Sequence, residues 1–184
     1  AEVTGYATVE IASDGGEYLG WTSTGGKRVM FIDTEMGAKR VQERFGGSIP
    51  SNVEVICLPE IRPVPSFGEA ADRDLITAKI NEFNPALIVL DNLQSNCLAA
   101  VMSMDKWKEI QEWLVELRSA GRSVILVAHA NDKNVLNGHR AQRTVIDTII
   151  KLSRPDDYEA TDGVRMDVMF EKTRRFLEGD AKRF

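Results

Sequence analysis

A short apolar run that ends in a carboxylate, residues 86–91 with the sequence ALIVLD, most constrains what this chain can fold into. A run of this length with β-branched residues is typical of a strand buried on both faces, as in a parallel sheet covered by helices on each side. Asp91 then lies at the C-terminal end of the strand, the edge at which open α/β sheets bind ligands. A carboxylate there commonly holds Mg²⁺ for a nucleotide, although an aspartate in this place can also begin a turn or cap a helix.

Buried strands of the same kind alternate with helical segments along the chain. The other predicted strands span residues 28–33, 53–58, 123–128, 145–152 and 164–172. The predicted helices span residues 36–45, 66–84 and 103–120, whereas residues 1–14 fit a helix or a strand. Alternation of this kind predicts an α/β fold with a mainly parallel twisted sheet, helices on both faces and additional strands at the end. We expect residues 1–184 to form a single domain.

The second of these helices has the clearest boundaries. Ser66 and Glu69 have the spacing of a capping box at its start, and Pro85 ends it. We expect its large apolar side chains to face the core; they are Leu75, Ile76, Ile80 and Phe83.

Three predicted strands are followed by side chains that can take part in acid–base or phosphate chemistry, namely Glu35, Asp91 and His129. Because parallel strands end at one edge of a sheet, we expect these groups to converge. A carboxylate that polarises water, a second near Mg²⁺ and an imidazole against a phosphate would suit nucleoside triphosphate hydrolysis. Each also has a plainer interpretation: Glu35 can cap a helix, Asp91 can make an Asx turn, and a lone histidine is usually a polar loop residue.

A phosphate-binding loop of the pattern G-x-x-x-x-G-K-[ST] is not found in this sequence. The nearest match, residues 20–28, has one residue too many and places Arg28 where a serine or threonine should reach Mg²⁺. A predicted strand follows it in place of a helix. We therefore interpret Lys27 as a solvated turn residue.

Several segments in order along the chain together resemble the RecA-like ATPases of the plasmid RepA hexameric-helicase type. No single segment is decisive, but the ordered set is specific and covers nearly the whole chain. The segments are GGEYLGW at 15–21, VMFIDTEM at 29–36, LIVLDNL at 87–93, residues 107–117, SVILVAHA at 123–130, DTIIKLSRP at 147–155 and FEKTRRF at 170–176.

The resemblance implies a role for each matching residue at the strand ends, with ATP and Mg²⁺ as the cofactors. Glu35 matches the glutamate that activates the attacking water, and Asp91 matches the Walker-B aspartate that acts on Mg²⁺ directly or through its water. His129 matches the histidine that senses the γ-phosphate.

The resemblance also implies a contribution in trans from the end of the chain. Lys172 and Arg174 match a K-x-R element that reaches the nucleotide of a neighbouring subunit as an arginine finger, with Arg175 as the alternative finger. This role implies a homo-oligomeric ring, expected to be a hexamer. Without the resemblance, these residues would be interpreted as a solvated basic strand end.

Two departures from the family pattern bear on nucleotide and DNA binding. The P-loop and its strand would lie upstream of Ala1, and we expect the natural protein to extend there, because that strand is central to such a sheet. We expect these 184 residues alone to bind nucleotide weakly or not at all.

Residues 137–144 are mostly basic where relatives carry acidic residues. His139, Arg140 and Arg143 could contact single-stranded DNA, or they could belong to a mobile solvated loop.

Bulk composition narrows the class of protein further. With 23 basic and 28 acidic residues, the net charge of −5 argues against a wholly basic nucleic-acid coat but allows a local basic groove. No apolar stretch is long enough to span a membrane, so we expect a cytoplasmic protein. Cys57 and Cys97 lie in or beside apolar strands without CxxC spacing, and we expect both to be reduced. The function expected is DNA-coupled ATP hydrolysis by a RepA-like replicative helicase. The alternatives are another RecA-like ATPase, of recombination or regulation, and a non-hydrolysing nucleotide- or DNA-binding subunit.

Overall fold

The computed structural model describes residues 8–10, 12–18, 21–129, 143–163 and 165–174. Residues 8–10 and 12–14 are helical, so the helical alternative is confirmed for this part of the N-terminal segment. An antiparallel pair of short strands follows, β1 (Gly16–Tyr18) and β2 (Trp21–Ser23). Since β2 leads into another strand, the segment around Lys27 does not join a strand to a helix as a P-loop does.

The central sheet has four parallel strands, as the sequence predicts. These are β3 (Val29–Asp33), β4 (Val53–Cys57), β5 (Leu87–Asp91) and β6 (Ser123–Leu126). Their spatial order is β4-β3-β5-β6, so β3 and β5 lie side by side in the middle. Asp33 is in register with Asp91, and Leu90 is in register with Leu126. The order therefore brings the ends of β3, β5 and β6 next to one another.

Helices cover both faces of this sheet. They are α1 (Ala38–Arg44), α2 (Ala70–Phe83), α3 (Leu93–Met102) and α4 (Met104–Ser119), and a 3-10 turn at Leu58–Glu60 follows β4. Ile32, Ile88 and Leu90 pack against side chains of α2, α3 and α4. On the other face, Phe31 and Val89 pack with Val9 and with residues of α1. The two middle strands, β3 and β5, are buried on both faces except at Asp91, which explains their uninterrupted apolar sequences.

The last two strands form an antiparallel hairpin of their own. Strand β7 (Ile149–Ser153) pairs with β8 (Asp167–Lys172), and in the described part of the chain these two strands form a sheet separate from the parallel one. A 3-10 turn at Ala160–Asp162 lies in the connection between them. The additional strands expected after the alternating part are thus present, although each is shorter than the sequence pattern predicts.

Three details of the predicted helices are wrong. The side chain of Leu75 is 65% exposed, because the inward stripe of α2 runs through Ile76 and Ile80, and Leu75 lies beside it. The capping box does not form: α2 begins after Glu69, whose side chain makes no cap, and the Ser66 hydroxyl accepts the Gly68 N–H. Helix α3 was not predicted. Its regular period is broken at Cys97, where φ is −144° and ψ is 41°.

Both cysteines are free thiols. Burial, followed by the nearby carboxylates of Asp33 and Glu60, raises the pKa of Cys57 to about 11. Burial raises the pKa of Cys97 to about 12. Both thiols are therefore protonated near neutral pH, which makes them poor nucleophiles and poor metal ligands. Within the described ranges, no cluster of three metal-ligating side chains occurs, and no helix is long and apolar enough to cross a membrane.

Candidate functional site

The candidate site lies at the C-terminal edge of the parallel sheet, where β3, β5 and β6 end side by side. Glu35 follows β3, Asp91 ends β5 and is followed by Asn92, and His129 follows β6. The predicted convergence of these strand ends is therefore present in the fold. Hydrogen bonds link Glu35 and His129 through Asn92, a residue that the sequence did not single out.

Asp33 holds the loop that carries Glu35. The residue is 2% exposed, and its carboxylate accepts backbone N–H groups from three successive residues. The Gly37 N–H donates at 2.7 Å, the Met36 N–H at 3.0 and 3.1 Å to the two oxygens, and the Glu35 N–H at 3.3 Å. Such a buried, multiply bonded carboxylate fixes the backbone on either side of the Glu35 side chain.

Asp33→Asn should therefore loosen this loop. The amide NH₂ would meet N–H donors, leaving buried donors without an acceptor, and the free energy of unfolding should fall by about 1–3 kcal/mol. Denaturant unfolding of Asp33→Asn measures the loss, with Asp74→Asn at an exposed position of α2 as the control. An Asp33→Asn protein as stable as that control would contradict the anchoring role.

Glu35 is exposed at the sheet edge, but two donors orient its carboxylate. Its Oε2 accepts the Asn92 side-chain amide at 2.7 Å and the Ser95 hydroxyl at 3.1 Å. Both donors lie just after β5, so the orientation of Glu35 depends on the pairing of β3 with β5. Among the described residues, Oε1 accepts no hydrogen bond, and it is the oxygen that can face a water molecule.

Asn92 is the most buried polar group of the site, with 1% of its surface exposed. Its backbone N–H donates to Thr34 Oγ1 at 2.9 Å, and the Thr34 hydroxyl donates to the Asn92 carbonyl at 2.7 Å. Its side-chain oxygen accepts the Ser95 N–H at 2.7 Å. The Asp91–Asn92 peptide bond is cis. The sequence shows Asn92 only as a polar residue directly after the strand-end Asp91. Its partner Glu35 lies 57 positions away, so the sequence does not show that the two residues meet.

His129 lies on the other side of Asn92. The imidazole Nε2 is 3.2 Å from the Asn92 amide nitrogen, and the His129 backbone N–H donates to Gln94 Oε1 at 3.0 Å. The ring is otherwise accessible from the sheet edge. Glu35 and His129 therefore contact the same buried amide from two neighbouring strand ends.

Asp91 is half-buried, and its carbonyl oxygen accepts the Thr34 N–H at 2.8 Å. Mg²⁺ takes hard oxygen ligands, and it is usually held by one or two carboxylates together with water and phosphate oxygens. The Asp33 carboxylate is occupied by its loop. The metal role of Asp91 stays a prediction.

Two of the predicted finger residues, Lys172 and Arg174, lie at the end of the β7–β8 hairpin. Lys172 donates to the Arg143 carbonyl, and Arg174 donates to the Thr144 carbonyl and lies 3.3 Å from Asp147. Partial desolvation, together with the positive charges of Arg174 and Arg143, lowers the pKa of Lys172. Within the described residues, no hydrogen bond or ion pair joins Lys172 or Arg174 to Glu35 or His129.

The predicted DNA-contacting residues are only partly described. Arg143 is half-buried and forms an ion pair of 2.7 Å with Glu171. His139 and Arg140 lie outside the described residues, as does the alternative finger Arg175. Their assignments stay predictions.

Comparison with known proteins identifies the fold. No family model matches the chain, and no curated protein matches it. Among solved structures, it is similar to a KaiC-like protein of the hyperthermophilic archaeon Pyrococcus horikoshii, with a TM-score of 0.54 and 17% sequence identity. The match covers 82% of this chain and 68% of the archaeal chain. At that identity the likeness shows the fold, which is the RecA-like α/β fold that the sequence predicts.

Proposed function

We propose that this chain is the core of a RecA-like ATPase that couples ATP hydrolysis to single-stranded DNA, as a ring-forming helicase of the RepA type. One observation carries the proposal: at the ligand-binding edge of a RecA-like sheet, Glu35 and His129 are joined by one buried amide beside Asp91. An exposed, oriented carboxylate and an imidazole at this edge suit the attack of water on a phosphate.

In this mechanism each side chain has a separate task. Oε1 of Glu35 orients the attacking water, while Oε2 stays bound to Asn92 and Ser95. His129 contacts the terminal phosphate. Asp91 would hold Mg²⁺, directly or through a water, and the ion would neutralise charge on the phosphates. Arg174 would reach the nucleotide of the next subunit in a ring.

Turnover by the intact protein tests the proposal. ATP hydrolysis should require Mg²⁺ and should increase when single-stranded DNA is added, and a tailed duplex should be unwound. No hydrolysis under any of these conditions would overturn the proposal. The likeness to a KaiC-like protein favours a second candidate, a RecA-like ATPase that is not a helicase. Hydrolysis without strand displacement would select that candidate.

The basic segment provides a specific test of the DNA partner. Replacing His139, Arg140 and Arg143 by glutamine should weaken binding of single-stranded DNA at every sequence. Because two permanent charges are lost and each phosphate contact on a single strand contributes about 0.7, the slope of log K against log salt should fall by about 1.4. Fluorescence anisotropy at several salt concentrations measures the slope. Glutamine at Lys39 and Arg40, which are exposed on α1, is the matched control, and equal losses in the two variants would contradict a DNA site at the basic segment.

A further inference from the structure

We propose that Asn92 is a positioning residue that fixes the tautomer of His129 and couples that ring to Glu35. The coupling to turnover rests on the proposed function, whereas the tautomer assignment rests on the hydrogen bonds alone. Asn92 is buried directly behind Asp91, and its amide lies between the two exposed side chains.

The hydrogen-bond pattern fixes the orientation of the amide. A side-chain amide has one oxygen that only accepts and one nitrogen that only donates. The oxygen of Asn92 accepts the Ser95 N–H at 2.7 Å, and its nitrogen faces the Glu35 carboxylate at 2.7 Å. A flipped amide would place N–H against N–H and oxygen against carboxylate. Only the orientation observed satisfies both neighbours.

This orientation determines the state of His129. One hydrogen of the Asn92 amide is used by Glu35, and the second points to the imidazole Nε2 at 3.2 Å. Nε2 must then present its lone pair, so the ring carries its proton on Nδ1. Because Asn92 is 1% exposed, its amide has little access to water as an alternative partner.

The shared amide also links His129, which contacts phosphate in the proposed mechanism, to Glu35, which directs the attacking water. When a phosphate contact turns the His129 ring, the Asn92 amide must adjust, and Glu35 Oε2 is bound to the same nitrogen. The Ser95 hydroxyl supplies a second bond to Oε2, so one donor to Glu35 stays in place while the amide responds. Through the amide, the carboxylate that directs water is sensitive to the contact of His129 with phosphate.

Asn92→Asp separates this role from a purely structural one. Aspartate keeps the shape of the side chain, the acceptor for the Ser95 N–H and the backbone bonds to Thr34. It replaces the NH₂ donor by an oxygen that repels Glu35 and accepts a hydrogen bond from a protonated His129 Nε2. Asn96→Asp is the matched control, because Asn96 lies in α3 and bonds to Phe67 and Pro65, away from Glu35.

Nitrogen-15 NMR of the imidazoles gives a readout that does not depend on turnover. The chain has two histidines, so His139→Gln leaves the His129 ring as the one imidazole of this sequence. We expect the Nδ1–H tautomer in the otherwise unchanged protein and in Asn96→Asp, and Nε2 protonation in Asn92→Asp. An Nε2–H tautomer before substitution, or the same spectrum after Asn92→Asp, would overturn the inference.

Kinetics then test the link to Glu35. We expect Asn92→Asp to lower kcat by about 100-fold, with KM changed no more than in Asn96→Asp. Equal kcat values in Asn92→Asp and Asn96→Asp would overturn the coupling. An unsubstituted protein that does not hydrolyse ATP would contradict the proposed function, and the NMR spectra would still decide the role of Asn92 toward His129.

Discussion

Glu35→Gln should abolish ATP turnover while leaving nucleotide binding and folding unchanged. Glutamine has the size of glutamate, and its side-chain oxygen can accept the same two hydrogen bonds, from Asn92 Nδ2 and from the Ser95 hydroxyl. What is lost is the negative charge that draws a proton from the attacking water. General-base catalysis of this kind contributes about 10²–10⁴-fold, so kcat should fall by that factor.

Three measurements on the intact protein separate chemistry from binding and stability. Steady-state hydrolysis gives kcat, titration with a non-hydrolysable ATP analogue gives Kd, and thermal unfolding gives Tm. Glu60→Gln is the control, because its carboxylate accepts the Ala38 N–H at 2.7 Å at the start of α1, without a contact to Asn92. A Glu35→Gln protein that turns over as fast as Glu60→Gln would remove Glu35 from the water-activating role.

The parallel sheet could be predicted from sequence because its physical cause is local. A strand covered by helices on both faces needs an apolar residue at nearly every position, and β3 and β5 have such sequences. The polar residue that ends each strand was also visible, since it follows the apolar run directly. The fold class and the convergence of Glu35, Asp91 and His129 at one edge follow from these two features.

The connections within the site could not be predicted, because they depend on which strands are neighbours. Asn92 meets Glu35 only because β3 and β5 pair in register, and a single sequence does not specify that order. Asp33 also ends a strand, but the loop after β3 turns its N–H groups back onto the Asp33 carboxylate. Helix α3 escaped prediction because Cys97 interrupts its period.

Arg174→Ala should nearly abolish turnover in the intact, assembled protein. An arginine finger neutralises charge on the transferring phosphoryl group, and its loss costs about 10³–10⁵-fold in kcat. Within its own chain, Arg174 bonds to the Thr144 carbonyl and to Asp147, on the hairpin side of the molecule. Arg118→Ala is the matched control, since Arg118 binds the same Asp147 at 3.3 Å and is not a predicted finger. We expect Arg118→Ala to keep most of the turnover.

Mixing two inactive variants tests whether Arg174 acts in trans. In a ring, each nucleotide site combines Glu35 of one subunit with Arg174 of the next, so a site is intact where an Arg174→Ala subunit receives its finger from a Glu35→Gln subunit. Random assembly of equal amounts should make about a quarter of the sites intact, and hydrolysis should recover to about that fraction of the unsubstituted rate. A double variant with both substitutions in one chain, mixed with unsubstituted protein, is the control for subunit exchange. If the two single variants exchange subunits but stay inactive together, Arg174 does not serve a neighbouring site, because an arginine acting within its own chain cannot rescue an Arg174→Ala subunit.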